Sequence, residues 1–199
     1  MTAQAVYLPY ISAQDYLAGE AGREFKHEYI DGEIYAMAGA RETDVTTSLN
    51  VAAALKAHLR GTPCRPFVAD LKLRVEASNA FFYPDVFVSC GERVQADYRS
   101  DAVLVVEVLS PSTAAFDRGA KFAHYRQLPG LREYLLIDPE TRSADLYRKG
   151  EDGLWVLHPY VGNDKVELGS VGLALPLADV IFEDVEPEPP PVHDTPPCA

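Results

Sequence analysis

Glu107 stands inside Ala102-Val103-Leu104-Val105-Val106-Glu107-Val108-Leu109, whose continuous Val103 to Val106 stretch is of the kind found in strands covered on both faces. An ionised carboxylate in such a strand costs several kcal/mol unless it is paired or bound to a metal. The ordinary alternative is an ion pair with a neighbouring arginine or lysine. A second acid bears on the choice. Asp85 follows Pro84 at the start of YPDVFVS, another apolar run of strand length, so two carboxylates are expected on adjacent central strands. Two carboxylates completed by water are the usual way to hold Mg²⁺ or Mn²⁺, leaving positions open for phosphate oxygens and for a water of lowered pKa. The chemistry to expect is metal-assisted hydrolysis of a phosphate ester.

Other residue types point nowhere as definite. Ser110 and Ser112 in LSPST lack the GxSxG elbow of a serine nucleophile, and a helix cap accounts for them better. The histidine nearest to them, His124, lies on the helix beyond, and His27, His58, His158 and His193 show no ligand spacing. Cys64, Cys90 and Cys198 are odd in number, widely separated and without a CxxC pair, so reduced thiols are expected. Trp155 and the eleven tyrosines read first as packing.

The elements that must position the two acids follow from periodicity. YIDGEIYAMAG holds two short strand-like pieces, Glu28 to Ile30 and Glu33 to Met37, about an Asp31-Gly32 turn, which predicts a hairpin. Residues 43–60 place Val45, Leu49, Ala52, Leu55 and Leu59 at helical spacing, with Thr43 as N-cap, Asp44 favourable to the dipole and Gly61-Thr62-Pro63 as the stop. FVADLKLRV alternates, with Asp70, Lys72 and Arg74 on its polar face. After the two strands bearing Asp85 and Glu107, residues 112–128 predict a helix capped by Ser112 or Thr113, and EYLLIDP a further strand. A connection of that length sets its two strands parallel, so the sheet is expected to be mixed. SADLYRKG and LWVLHPY predict a closing hairpin.

A chain of 199 residues, 47% apolar and 24% charged, fits one globular domain, taken as residues 1–185. The segment EPEPPPVHDTPPCA at 186–199, rich in proline and acid, is expected to be a disordered tail. No run reaches the length of a membrane span and no leader pattern opens the chain, so a cytoplasmic protein without membrane contact is expected. The net charge of −12 weighs against nucleic acid, whose binders normally carry a basic footprint. Residues 181–199 hold five of these charges, and a bound divalent cation would reverse the local sign where the carboxylates gather.

The αβββαβ order with PDV and EVL resembles the PD-(D/E)XK nuclease superfamily, the restriction-endonuclease-like fold. More narrowly, YIDGEIYAMAGA, CRPFVADLKLRV, YPDVFVSC, VVEVLSPST, DRGAKFAHYRQLP and EYLLIDP are similar, block by block from about residue 10 to 160, to the Uma-type family of restriction-endonuclease-like proteins. The resemblance implies an α/β domain with a mixed central sheet flanked by helices, with extra hairpins at both ends. It implies a divalent metal, Mg²⁺ or Mn²⁺, on Asp85 and Glu107, and hydrolysis of DNA phosphodiester bonds. Glu28 and Glu33 match family positions on the hairpin, and Glu28 is a candidate third ligand.

The superfamily's lysine, two residues after the second acid, is Leu109 here. Lys121 is the first substitute. Glu107 lies roughly 10 Å back from the strand end and Lys121 roughly 12 Å along the returning helix, so the two come level. Asp117, Lys121 and Tyr125, at i, i+4 and i+8, would otherwise form an exposed ion pair of small value. Lys72 is the rival, reaching towards the acids from the polar face of its strand. Relatives often carry a histidine on the first helix, where this chain has Asp44. Homodimers are common for the fold and would set two sites against both strands of DNA. Two other readings stay open: a catalytically silent DNA-binding or dimerisation module, and a metal-dependent phosphodiesterase acting on small nucleotides.

Overall fold

The computed structural model describes residues 10–37, 39–92 and 95–181; the acidic proline-rich segment 186–199 lies outside them. In chain order the elements are α1 (Ala13–Glu20), β1 (His27–Ile30), β2 (Glu33–Ala36), α2 (Glu42–His58), β3 (Arg65–Val68), β4 (Lys72–Val75), β5 (Ala80–Phe82), β6 (Val86–Ser89), β7 (Tyr98–Arg99) and β8 (Ala102–Val108). There follow α3 (Ala114–Phe116), a π-helical turn (Asp117–Lys121), α4 (Phe122–Tyr125), β9 (Glu133–Asp138), β10 (Ser143–Lys149), β11 (Trp155–Val161), β12 (Lys165–Leu168), β13 (Leu173–Pro176) and α5 (Leu177–Ile181).

Six strands in the order β11-β10-β9-β8-β6-β3 form the central sheet. It is mixed, as the helical crossover requires: β8 and β9 pair in parallel, from Leu104 with Glu133 to Val108 with Ile137, while its other pairs are antiparallel. The Val103–Val106 run is continuous because both faces of β8 are covered. Leu104 and Val106 face a core shared with Val51 and Leu55 of α2, Leu135 and Ile137 of β9, and Val166 and Leu177. Val105 faces a second core with Leu73, Phe82, Phe87, Phe122, Tyr125 and Tyr134. By the two-residue period of a strand, Glu107 falls on that second side.

The β1–β2 hairpin turns at Asp31 and Gly32, with φ of 42° and 100°. Both values are positive, as a two-residue turn of the I′ kind demands, and glycine at its second position adopts that conformation without cost. The hairpin belongs to a five-stranded sheet, β2-β1-β5-β4-β7. Here one expectation fails. FVADLKLRV is not a single strand: its first part is β3 at the edge of the central sheet, and its second is β4 in the other sheet. The chain bends at Asp70, whose amide turns back onto the Val68 carbonyl, so Asp70 and Lys72 do not share one polar face.

Two helix readings also change. The buried positions of α2 are Asp44, Thr47, Val51, Ala52 and Leu55, while Val45 and Leu49 are exposed. The N-cap is Arg41, and the Asp44 carboxylate accepts from the Arg41 amide and guanidinium, which turns Asp44 inward. Before α3, the Thr113 hydroxyl makes no cap bond; the Ser110 carbonyl accepts the amides of Thr113 and Ala114 instead.

The cysteine reading is corrected as well. Arg65 on β3 pairs with Ser89 on β6, which brings Cys64 and Cys90 side by side beyond the end of that ladder, and they are joined by a disulfide. Spacing along the chain could not reveal this, because two cysteines 26 positions apart are brought together only by strand pairing. A cross-link over a loop of this size stabilises by about 2–4 kcal/mol, largely by restricting the unfolded chain. Urea unfolding with and without dithiothreitol is therefore expected to show a lower midpoint for the reduced protein; equal midpoints would contradict the cross-link.

Candidate active site

Asp85 immediately precedes β6, and Glu107 lies next to last in β8. Because Val86 pairs with Val106, the two acids come opposite one another at the end of that ladder. Each carboxylate then takes a backbone amide from the other strand. Asp85 Oδ2 accepts from the Val108 amide at 2.7 Å, and Glu107 Oε2 accepts from the Asp85 amide at 3.4 Å. This reciprocal arrangement fixes both side chains without using any other side chain.

Glu107 is 3% exposed and its second oxygen is also filled. Oε1 accepts from the Tyr125 hydroxyl at 2.8 Å and from Lys121 Nζ at 2.9 Å. Lys121 Nζ stands in addition 3.2 Å from Glu28 Oε1 and 3.4 Å from Asp117 Oδ1. The helical segment supplies Asp117, Lys121 and Tyr125, and all three are buried; the exposed ion pair that their spacing equally allowed is not what forms. Residues 117–121 form a π-helical turn, a local widening that recurs at functional sites.

The electrostatics are those of one cation among several anions. Burial disfavours the Lys121 charge, but Glu107, Glu28 and Asp117 outweigh it, and its pKa stands well above the ordinary lysine value. The three carboxylates thus favour the charged form of Lys121. Burial pushes the Glu107 carboxyl well up, against the pull of Lys121, with Asp85, Asp117 and Glu28 adding to the rise. Burial likewise raises Asp85, opposed by the Val108 amide and Lys121.

These groups line a cavity of about 430 Å³ whose walls include Glu28, Asp44, Asp85, Glu107, Asp117 and Lys121. Five carboxylates face a single lysine there, and buried Asp117 Oδ1 has no partner beyond the 3.4 Å ion pair with that lysine. An all-oxygen, strongly anionic donor set fits a hard divalent cation. Among the described residues no three Asp, Glu, His or Cys side chains are grouped closely enough to hold an ion by themselves. Asp85 and Glu107 would thus supply part of a shell that water and substrate complete, as Mg²⁺ ordinarily prefers.

Lys72 and Glu33 are placed differently. Lys72 Nζ lies over the Tyr83 ring, 5.3 Å from its centroid, and Lys72 does not line the cavity. Glu33 is exposed on β2, takes the Tyr35 hydroxyl and is likewise absent from the walls. Glu28, on β1, reaches Lys121 and accepts the Tyr83 amide at 3.4 Å. Sequence reasoning missed the Tyr125 bond to Glu107 and the inward turn of Asp44. The i, i+8 spacing of Asp117 and Tyr125 was a usable signal for the first; nothing local signalled the second.

Three comparisons bear on this arrangement. The Uma2 family, described as "Putative restriction endonuclease", matches residues 13–178. Two uncharacterized proteins of Synechocystis sp. are similar: one is 39% identical over 176 residues, spanning 87% of this chain and 92% of its own, and the other 36% identical over 158 residues, spanning 77% and 89%. A crystal structure from Anabaena variabilis, titled as that of a "putative nuclease belonging to DUF820", superposes with a TM-score of 0.71 at 19% identity, covering 86% of this chain and 97% of that one. That last likeness is one of fold.

Removing one partner from a buried ion pair leaves an uncompensated charge and costs about 3–5 kcal/mol. Lys121→Met is therefore expected to lower the unfolding free energy by about that amount, and Glu107→Gln introduced beside it to restore part of the loss. Urea denaturation of the two single variants and the double variant checks this; additive losses would mean that the two groups do not share their burial.

Proposed function

We propose, from the premise that this chain belongs to the Uma2 family of restriction-endonuclease-like proteins, that it is a divalent-metal-dependent endonuclease hydrolysing DNA phosphodiester bonds with Mg²⁺ or Mn²⁺. The observation that carries the reading is the interlocked pair Asp85 and Glu107 at the wall of an acidic cavity, with Lys121 on the Glu107 carboxylate.

When bound, the metal would supply a Lewis acid for the scissile phosphate and a water of lowered pKa. Asp85 and Glu107 hold it, each already oriented by the other strand's amide. Glu28 is a candidate further ligand, directly or through water. Lys121, whose charged form its carboxylate neighbours favour, orients the attacking water and offsets the negative charge that grows on the phosphate in the transition state. Tyr125 keeps the Glu107 side chain in place by its hydroxyl. Lys72, outside the cavity, is not assigned a part in the chemistry.

Among the described residues no helix is long and apolar enough to cross a membrane. A cytoplasmic site of action and a homodimer presenting two sites to duplex DNA belong to the same proposal. The disulfide weighs against the first, since such bonds are uncommon in reducing compartments. A phosphodiesterase of small nucleotides is the second reading, favoured by the net charge of −12, which handicaps the binding of a long polyanion.

The test is nicking of supercoiled plasmid at low salt. Wild type with Mg²⁺ or Mn²⁺ is expected to nick, EDTA to stop it, and Asp85→Asn or Glu107→Gln to lower the rate at least a hundredfold while the protein stays folded. Lys121→Met is expected to be strongly impaired and Lys72→Met to stay near wild type. Wild-type rates in either acid variant would sink the assignment, and hydrolysis of single nucleotides without nicking would favour the second reading.

The pH dependence has a definite sign. Ligand carboxylates must be deprotonated to bind metal, and those of Asp85 and Glu107 hold their protons to higher pH than free carboxyls. Cleavage at fixed, subsaturating Mg²⁺ is expected to rise as pH climbs through those raised values and to flatten above them. A rate that falls over the same range would contradict the pair's role.

A further inference from the structure

An anionic substrate entering a cavity with five carboxylates on its walls needs hydrogen-bond donors other than the metal, and most of the wall's donors are already committed. The Tyr35 hydroxyl donates to Glu33, the Tyr83 hydroxyl to Glu20, and Lys121 is surrounded by Glu28, Glu107 and Asp117. The Val108 amide is held by Asp85. Among the described residues of the wall, the side-chain donors that remain are the hydroxyls of Ser110, Ser112 and Thr113.

These three meet only one another. Ser110 Oγ lies 3.0 Å from Ser112 Oγ and 3.0 Å from Thr113 Oγ1. Neither neighbour spends its hydroxyl on capping the helix that follows, although capping is what these residue types ordinarily do there. Three hydroxyls carry three protons, and the two contacts among them use two. At least one proton is left for an outside acceptor, and hydroxyl rotors reorient freely to offer more. Ser110 stands three residues beyond Glu107, roughly 10 Å along an extended chain, so it lies beside the metal-binding acids and not among them.

We propose that Ser110, Ser112 and Thr113 form the subsite for a backbone phosphate of the nucleic acid, flanking the phosphate that is cleaved. The assignment rests on the nuclease reading and deepens it: it explains how so acidic a chain holds a polyanion without a basic footprint. Neutral hydroxyls donate to phosphate oxygens without forming ion pairs with the carboxylates around them, as lysine or arginine in the same place would do. It also fixes a signature. Contacts through lysine and arginine release counterions and steepen the dependence of affinity on salt; contacts through hydroxyls do not.

The experiment uses the full chain and a short fluorescent DNA oligonucleotide in Ca²⁺, with nicking of plasmid in Mg²⁺ measured in parallel. The variants are Ser110→Ala/Ser112→Ala, Thr113→Val, which keeps the shape and removes the hydroxyl, and Thr113→Ser, which keeps the hydroxyl. A hydrogen bond to a charged acceptor corresponds to about tenfold or more in affinity. The alanine pair and Thr113→Val are expected to weaken binding by at least that factor and to raise KM more than they lower kcat. Thr113→Ser is expected to bind close to wild type, and the slope of log affinity against log salt to stay unchanged throughout. Wild-type affinity in the alanine pair and in Thr113→Val, with wild type itself nicking, would overturn the subsite and leave the nuclease reading standing. Wild type that neither binds nor nicks would overturn both.

Discussion

Burial of the Glu107 carboxylate in the middle of the molecule is the constraint on which the rest of the structure turns. A charge in a strand covered on both faces is tolerated only where its desolvation is offset by donors and counter-charge, and this chain provides them from three directions. The neighbouring strand gives an amide, the returning helical segment gives the Tyr125 hydroxyl and the Lys121 ammonium, and the hairpin brings Glu28 to the far side of that ammonium. No one of these elements is adjacent to Glu107 in sequence. The mixed sheet, the helical crossover and the second sheet are what bring them within reach.

The same arrangement gives the site its chemical character. Lys121 offsets part of the negative charge, yet one ammonium among five carboxylates leaves the cavity anionic. A buried ion pair of this kind is weak evidence for stability, since a well-packed apolar replacement often does as well. Its retention makes more sense as preparation for a cation and a phosphate, with the ligands held before either arrives. Lys121 sits on Oε1 of Glu107 while Oε2 takes only the Asp85 amide, so a cation held by the two acids, as proposed, would have the lysine's positive charge close by. The acidity that argues against nucleic acid on global charge is, at this point, what the proposed metal would require.

Much of this was legible before any coordinates, and the reasons are particular. Glu107 and Asp85 could be found because an acid interrupting an apolar strand is a conflict that demands a partner, and because two such strands follow each other. The nearness of Lys121 to Glu107 could be reached by comparing the rise of a strand with that of a helix, whereas the position of Lys72, over the Tyr83 ring and off the cavity wall, depends on the bend at Asp70 that splits its strand in two. What stayed hidden was long-range or rotational. The Cys64–Cys90 bond depends on the register of β3 against β6. The inward face of α2 depends on Arg41 drawing Asp44 in, against an apolar pattern that would have put Val45 and Leu49 towards the core. β12, β13 and α5, which complete one side of the core, follow a run of polar and glycine residues with no clear period.

Calorimetric titration of Mn²⁺ into metal-stripped protein asks whether the pocket built around Glu107 holds a divalent cation. Saturable binding accompanied by proton release is expected, lost in Glu107→Gln and in Asp85→Asn while both variants remain folded. A folded wild-type protein that takes up no cation, or binding that survives the loss of both acids, would contradict it.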